Sequence, residues 1–234
     1  MKTLIIIPAY NEEKNIENTI KKILELNDNN MDYIVINDGS TDNTLKVLVD
    51  NNFNHINLPT NLGIGGAVQT GYKYALYKNY DIAIQFDGDG QHNAEYLNHL
   101  IHEIEQGNDL VIGSRFIDNL DGFKSTKTRR AGIKLLSTLI KFCTHKTITD
   151  PTSGFRACNK KIIKLFSLDY PYDYPEPDTI VKVIKKNFKV KEIPVIMNER
   201  EQGKSSINML KSIYYMIKVS LSIIISSMSN KEGK

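Results

Sequence analysis

The stretch Ile82-Ala83-Ile84-Gln85-Phe86-Asp87-Gly88-Asp89-Gly90-Gln91 runs from a short apolar segment into a turn that holds two carboxylates. An apolar run this short, ending in a glycine-containing turn, fits a strand buried on both faces, as in a parallel sheet. Two aspartates at i and i+2, with glycine between and after them, can converge on one divalent cation from a tight strand-end turn. Hard oxygen donors favour Mg2+ or Mn2+ and leave open positions for substrate phosphates, and Gln91 offers a third oxygen. His92, next to Asn93, is expected to be an exposed residue at a helix start and not a ligand.

Working outward, the first 115 residues alternate short Ile/Val-rich runs with longer amphipathic ones. Strands are predicted at Thr3–Pro8, Tyr33–Asn37, Ile56–Leu58, Ile82–Phe86 and Leu110–Gly113. Helices are predicted at Glu12–Leu26, Asp42–Val49, Gly65–Tyr77 and Ala94–Gln106. This alternation predicts an α/β fold with a doubly wound, mostly parallel sheet and helices on both faces. Ligands of such sheets sit outside the carboxyl ends of the strands. Those ends carry Pro8-Ala9-Tyr10-Asn11-Glu12, Asn37-Asp38-Gly39-Ser40 and the Asp87–Gln91 turn. The glycine cluster Gly63-Ile64-Gly65-Gly66 is not a dinucleotide loop, because Val68 stands where the last glycine belongs. Its glycines are expected to let backbone N–H groups at a helix start, Gly65 included, face a phosphate or sugar.

Beyond residue 115 the pattern loosens. A polar loop at Asp118–Thr128, a basic amphipathic helix at Arg129–Thr144 and a turn-rich connection from Asp150 to Arg156 are expected. Helices at Asn159–Phe166 and Thr179–Lys186, an ordered loop at Tyr170–Pro177 and a strand at Lys189–Met197 follow.

Composition narrows the class. The 234 residues are 41% apolar and 24% charged, which excludes a disordered chain and suits one large domain. Two cysteines, Cys143 and Cys158, exclude a disulfide scaffold and are expected to be reduced thiols. The opening MKTLIIIPAYNEE has an apolar run too short for a secretory signal. Net charge is +3, unevenly spread: residues 123–164 hold eleven Lys/Arg against one acid, Asp150. That stretch calls for an anionic partner or is a solvated helical face. Nucleic acid is excluded as the partner, since the stretch has few aromatics and no nucleic-acid module.

Six motifs in register carry a family resemblance. Pro8-Ala9-Tyr10-Asn11-Glu12, Asn37–Asp42, Asn61-Leu62-Gly63, Asp87–Gln91, Gly113-Ser114-Arg115 and Asp150–Arg156 occur in that order, and Arg200–Ser205 closes the series. Together they resemble the family 2 glycosyltransferases of GT-A fold, in particular the dolichol- and polyprenyl-phosphate sugar synthases. The resemblance implies inverting transfer from a nucleotide-sugar. It implies that Pro8, Tyr10, Glu12, Asp38, Gly65, Asp87 and Gly88 hold the donor, and that Asp87, Asp89 and Gln91 hold the metal, with Asp89 catalytic. The Glu-Asp pair that supplies a general base in many relatives is replaced by Pro175-Glu176-Pro177-Asp178, which leaves Glu176 and Asp178 as the candidates. A phosphate acceptor needs no such base. Arg115, Arg130, Lys134, Arg200 and Lys204 are expected to line an acceptor-phosphate site, arginine offering a bidentate fork. The readings carried forward are transfer to a polyprenyl phosphate, transfer to a saccharide hydroxyl, and a non-catalytic nucleotide-sugar-binding subunit.

The tail raises the membrane question. Leu210, Ile213, Tyr214, Ile217, Leu221, Ile224, Ile225 and Met228 fall on one helical stripe, with Lys211 and Lys218 opposite. The charge-free run from Val219 to Asn230 is about half the ~20 residues that a spanning helix needs. An interfacial helix is expected at 207–228, following a transferase domain at 1–206 and preceding a disordered 229–234; the alternative is docking on the domain or a partner. Relatives in the resembled subgroup continue into spanning helices. A small integral-membrane partner is therefore expected, with the chain peripheral at the cytoplasmic face.

Overall fold

The computed structural model describes residues 1–117, 127–198 and 209–228. The first half of the chain forms β1 (Thr3–Ala9), α1 (Ile16–Leu24), β2 (Met31–Asn37), α2 (Thr44–Asp50), β3 (His55–Asn57), α3 (Gly63–Tyr77) and β4 (Ile82–Gln85). A single 3-10 turn, Ala94–Tyr96, leads into α4 (Leu97–Glu105) and β5 (Leu110–Ser114). Then come α5 (Lys127–Thr144), β6 (Arg156–Asn159), α6 (Lys160–Leu168), α7 (Pro175–Lys185), β7 (Val190–Pro194) and α8 (Met209–Met228).

The seven strands form one sheet in the order β3-β2-β1-β4-β6-β5-β7. β6 runs antiparallel to both neighbours, β4 and β5, and the other pairings are parallel. The period-2 pleat of β1 sends Leu4 and Ile6 to one apolar layer and Ile5 and Ile7 to the other. α1 and α4 cover the second layer with Ile16, Ile20, Leu97 and Leu100, while α3, α5, α6 and α7 cover the first. All seven residues of β1 are buried, as a central parallel strand covered on both faces must be. Cys143 and Cys158 are free thiols. Burial pushes the Cys158 thiol up to about 12.

β6 is the one strand that the sequence pattern hides. Arg-Ala-Cys-Asn carries no β-branched residue, and the segment up to Arg156 was expected to be a connection. It forms because Arg156 is fully buried, with Nη1 and Nη2 donating to Thr179 Oγ1 at 3.0 Å and the Ser153 carbonyl at 2.5 Å.

α8 docks on the domain. Met216, Val219 and Ile223 lie on one face, pack into the first apolar layer and bring α8 against α5 and α7. Lys218 pairs with Asp173 at 2.5 Å, and Ser226 donates to the Asp178 carboxylate. The stripe anticipated for membrane contact is a different face: Tyr214, Ile217, Leu221, Ile224, Ile225 and Met228 stay exposed. The side chains of Leu210, Lys211 and Ile213 lie outside the described residues, as does 229–234. Among the described residues, no helix is long and apolar enough to cross a membrane.

Candidate active site

The chain steps from β1 outward to β2 and β3, then returns to pair β4 on the other side of β1. Reversal at β1/β4 opens a crevice at the carboxyl ends of these two strands. The turns after them meet there: the Gly88 N–H donates to the Pro8 carbonyl at 3.3 Å, and the Gly88 carbonyl accepts from Thr19 Oγ1 at 3.2 Å.

The loops after β1 and β2 are interlocked. Asn11 Oδ1 accepts from the Thr41 N–H at 2.8 Å, and the Asn11 N–H donates to Ser40 Oγ at 3.0 Å. The N–H of Glu12 donates to Thr44 Oγ1 at 2.8 Å, and Glu13 Oε2 accepts from the Asn43 N–H at 3.0 Å. Tyr10 stands out from this lock, 47% exposed, while Pro8 is buried beneath it. The Glu12 carboxylate turns toward α1 and accepts from Asn15 Nδ2 at 2.6 Å.

Two residues expected to face the donor also hold the fold together. The buried Asp38 accepts from the Leu62 N–H at 2.7 Å and ties the end of β2 to the start of α3. Burial raises its carboxyl, against the backbone hydrogen bonds from Leu62 and Gly63 that lower it. Gly65 is a packing glycine. Its N–H donates to the Tyr172 carbonyl at 3.0 Å, and a Cβ there would stand 2.0 Å from the Pro171 carbonyl oxygen. The close backbone approach is real, but protein makes it.

The Asp87–Gln91 turn is held from three sides. Gln85 Nε2 donates to Asp87 Oδ1 at 3.1 Å, and the Gln91 N–H donates to Asp89 Oδ1 at 3.1 Å. The Gln91 carbonyl accepts from the Asn198 N–H at 2.8 Å. Gly154 presses on the Asp87 carboxylate from the loop before β6. Among the described residues no three His, Cys, Asp or Glu side chains gather to hold a metal by themselves. Two aspartates and an amide at an open crevice do fit a small hard cation that takes its remaining oxygens from a diphosphate and water.

Glu176 and Asp178 part company, as residues two apart on a helix must. Glu176, half-buried on the first turn of α7, lies in the field of Asp87 and Arg156. Its carboxyl is raised, first by burial, with Arg156 pulling it down and Asp87 pushing it up. Asp178 is buried against α8 and engaged by Ser226. The base candidate at the crevice is therefore Glu176.

The basic residues divide in the same way. Arg115 was expected at an acceptor phosphate, but it is a structural clamp. Its Nε and Nη2 grip the fully buried Asp150 at 2.6 and 2.7 Å, and Nη2 also meets Thr152 Oγ1 at 2.9 Å. Glu192, raised chiefly by burial, accepts from the N–H groups of Thr149 and Asp150 and closes the network. Arg130 and Lys134 are exposed on α5, with the Arg130 guanidinium 5.9 Å from the Phe116 ring centroid. Arg200 and Lys204 lie outside the described residues.

His92, expected to be exposed at a helix start, is instead buried beside Asp87. It is 3% exposed, and Nδ1 accepts from the Asp87 N–H at 3.0 Å. A polar side chain followed by Asn and a helix gave no sign of burial; the signal was its distance of five residues from Asp87, enough for the turn to fold back.

Against known proteins, the sequence matches the model named glycosyl transferase family 2 over residues 4–166. The chain belongs to that family. This family 2 glycosyltransferase is 29% identical to the polyprenol monophosphomannose synthase of Mycolicibacterium smegmatis, over 88% of this chain and 81% of the relative. It is 35% identical to the UDP-N-acetylglucosamine–dolichyl-phosphate N-acetylglucosaminyltransferase of Methanococcus voltae, over 70% and 71% of the two chains. With the undecaprenyl-phosphate mannosyltransferase of Micrococcus luteus it shares 28% identity over 89% and 88%. Its fold is GT-A. The glucosyl-3-phosphoglycerate synthase of Mycobacterium tuberculosis, solved with Mn2+, UDP and phosphoglyceric acid, superposes with a TM-score of 0.73 at 20% identity, covering 99% of this chain and 80% of that one.

Proposed function

We propose that this glycosyltransferase moves a sugar, with inversion, from a nucleoside diphosphate sugar to a polyprenyl phosphate at the cytoplasmic face of a membrane. The observation that carries the reading is the set of relatives, each named for a prenol-linked phosphate sugar and matched over most of both chains. In this reading the donor lies in the β1/β4 crevice between Tyr10 and the Asp87–Gln91 turn. Asp87, Asp89 and Gln91 hold Mg2+ or Mn2+, which when bound offsets the charge of the departing diphosphate. An oxygen of the acceptor phosphate attacks the anomeric carbon from the face opposite the diphosphate. The new C–O bond forms as the old one breaks, and the nucleoside diphosphate leaves. No proton has to be removed, because the phosphate is already an anion.

We assign the acceptor phosphate to Arg130 and Lys134, which stay exposed on α5. Losing one charge-assisted contact costs on the order of 1.5–3 kcal/mol, roughly ten- to a hundredfold in acceptor KM. The exposed stripe of α8 supplies the membrane contact. Incubating the purified chain with a panel of UDP- and GDP-sugars, Mg2+ or Mn2+ and undecaprenyl phosphate should release nucleotide and yield a lipid-linked sugar. Nucleotide release only with a saccharide acceptor would overturn the lipid-phosphate reading.

One observation favours a second reading. Glu176 beside Asp87 is a carboxylate suited to deprotonate a hydroxyl acceptor. Glu176→Gln separates the two: turnover survives with a phosphate acceptor and collapses with a hydroxyl.

A further inference from the structure

We infer that His92 and Gln85 are positioning residues that preset Asp87 to receive a divalent cation. The inference rests on the reading of Asp87 as a cation ligand. Asp87 is gripped at three points. Its N–H donates to His92 Nδ1 at 3.0 Å, its Oδ1 accepts from Gln85 Nε2 at 3.1 Å, and its Oδ2 faces His92 Nε2 at 3.6 Å. A backbone N–H can only donate, so Nδ1 is the acceptor and the ring hydrogen sits on Nε2, the atom that faces the carboxylate. A ring with Nδ1 engaged and hydrogen on Nε2 has no lone pair left for a metal. His92 therefore acts through Asp87 and is not itself a ligand.

The ring cannot swing. It stacks on Phe155 at 4.7 Å and 16°, and meets Phe86 edge-on at 5.3 Å and 84°. Both phenylalanines are buried in the second apolar layer. Gln85 is equally fixed, 1% exposed, with its amide N–H on Asp87 and its carbonyl oxygen 3.5 Å from the Tyr170 hydroxyl. The carboxylate thus has its direction set by the core before any ion arrives. Outer partners of this kind typically change metal affinity by about 10–100-fold when removed.

The test is Mn2+ binding to the full chain, followed by the EPR signal of the free ion, with no donor or acceptor present and with melting curves alongside. His92→Phe keeps the stack and loses both nitrogens, so Mn2+ should bind roughly 10–100-fold more weakly with the fold retained. His92→Asn keeps an acceptor near Nδ1 and should recover part of that loss while staying weaker than wild type. Gln85→Leu should weaken binding in the same direction. Wild-type affinity in folded His92→Phe, or in His92→Asn where His92→Phe does not fold, overturns the role of His92. The same result in Gln85→Leu overturns that of Gln85. If Asp87→Ala binds Mn2+ as tightly as wild type, the ligand reading beneath the inference is what fails.

Discussion

A Cβ on Gly154 would stand 3.0 Å from Oδ2 of Asp87, and 2.8 Å from Nε2 of the Gln85 that holds Asp87 in place. The loop before β6 is therefore the wall against which the crevice carboxylate leans, and it can be that wall only without a side chain.

Gly154→Ala is expected to displace the Asp87–Gln85 pair while leaving the apolar layers intact. With Asp87 as the proposed cation ligand, nucleotide release should fall about 10-fold or more, as outer disturbances of a metal ligand do. The melting temperature should move little. Parallel rate and melting measurements check it; a large loss of stability with unchanged specific activity would contradict it.

Arg115 and Asp150 form a bidentate pair with the carboxylate fully buried. Removing one partner of such a pair typically costs about 3–5 kcal/mol, because the other charge is left buried and uncompensated. Arg115→Ala and Asp150→Asn should both lower unfolding free energy by amounts of that order in urea titrations. Donor affinity of the fraction that remains folded should be unchanged. A stable Arg115→Ala protein with weakened acceptor binding would return Arg115 to the phosphate role.

For Glu176 the sign follows from its raised carboxyl. The folded state holds that proton more tightly than the unfolded one. The group's contribution is thus fully present below the ordinary glutamate value of 4.5 and lost as pH rises through the raised one. Glu176→Gln cannot ionise, so its stability relative to wild type should improve as pH climbs through that window. Urea titrations at several pH values give the difference directly, with the like-signed effect of Glu192 cancelling. A gap independent of pH would refute the assignment.

The two faces of α8 should respond differently. Ile223 is fully buried, so Ile223→Ala should cost about 2–5 kcal/mol, the range for a core Ile to Ala change. Ile217 and Leu221 are more than half exposed, at 58% and 55%. Replacing both with Ser should leave stability nearly unaltered and weaken the proposed binding to anionic liposomes, measured by cosedimentation.

What the sequence disclosed, and what it withheld, follows the range of the interactions involved. β1 and β4 were legible because a run such as Leu4–Ile7 or Ile82–Ile84 declares its burial locally. The Asp87–Gln91 turn was legible because its residues are neighbours in sequence. β6 was not, because Arg156 becomes a core residue only through Ser153 and Thr179. The fates of Arg115, Gly65 and His92 were hidden for the same reason. Asp150 lies 35 residues from Arg115, Tyr172 lies far along the chain from Gly65, and the stack on His92 comes from Phe155. Charge and spacing name a residue's chemistry, but its partners decide whether that chemistry is spent inside the fold. For α8 the 3.6-residue period showed one apolar stripe, and the face that packs against α5 and α7 is another, that of Val219 and Ile223, which only the tertiary contacts disclose.

The lock between the loops after β1 and β2 has a thermodynamic consequence. Asn11, Glu12 and Glu13 exchange hydrogen bonds with Ser40, Thr41, Asn43 and Thr44, so neither loop can open without breaking its bonds to the other. Their amides should exchange with deuterium as one unit, with nearly equal protection. Ordering a free loop residue costs roughly 1–2 kcal/mol in entropy, and here that cost is met when the chain folds. In the proposed reading, a donor arriving at Tyr10 would find the rim already frozen, so its affinity should vary only weakly with temperature-driven loosening of either loop.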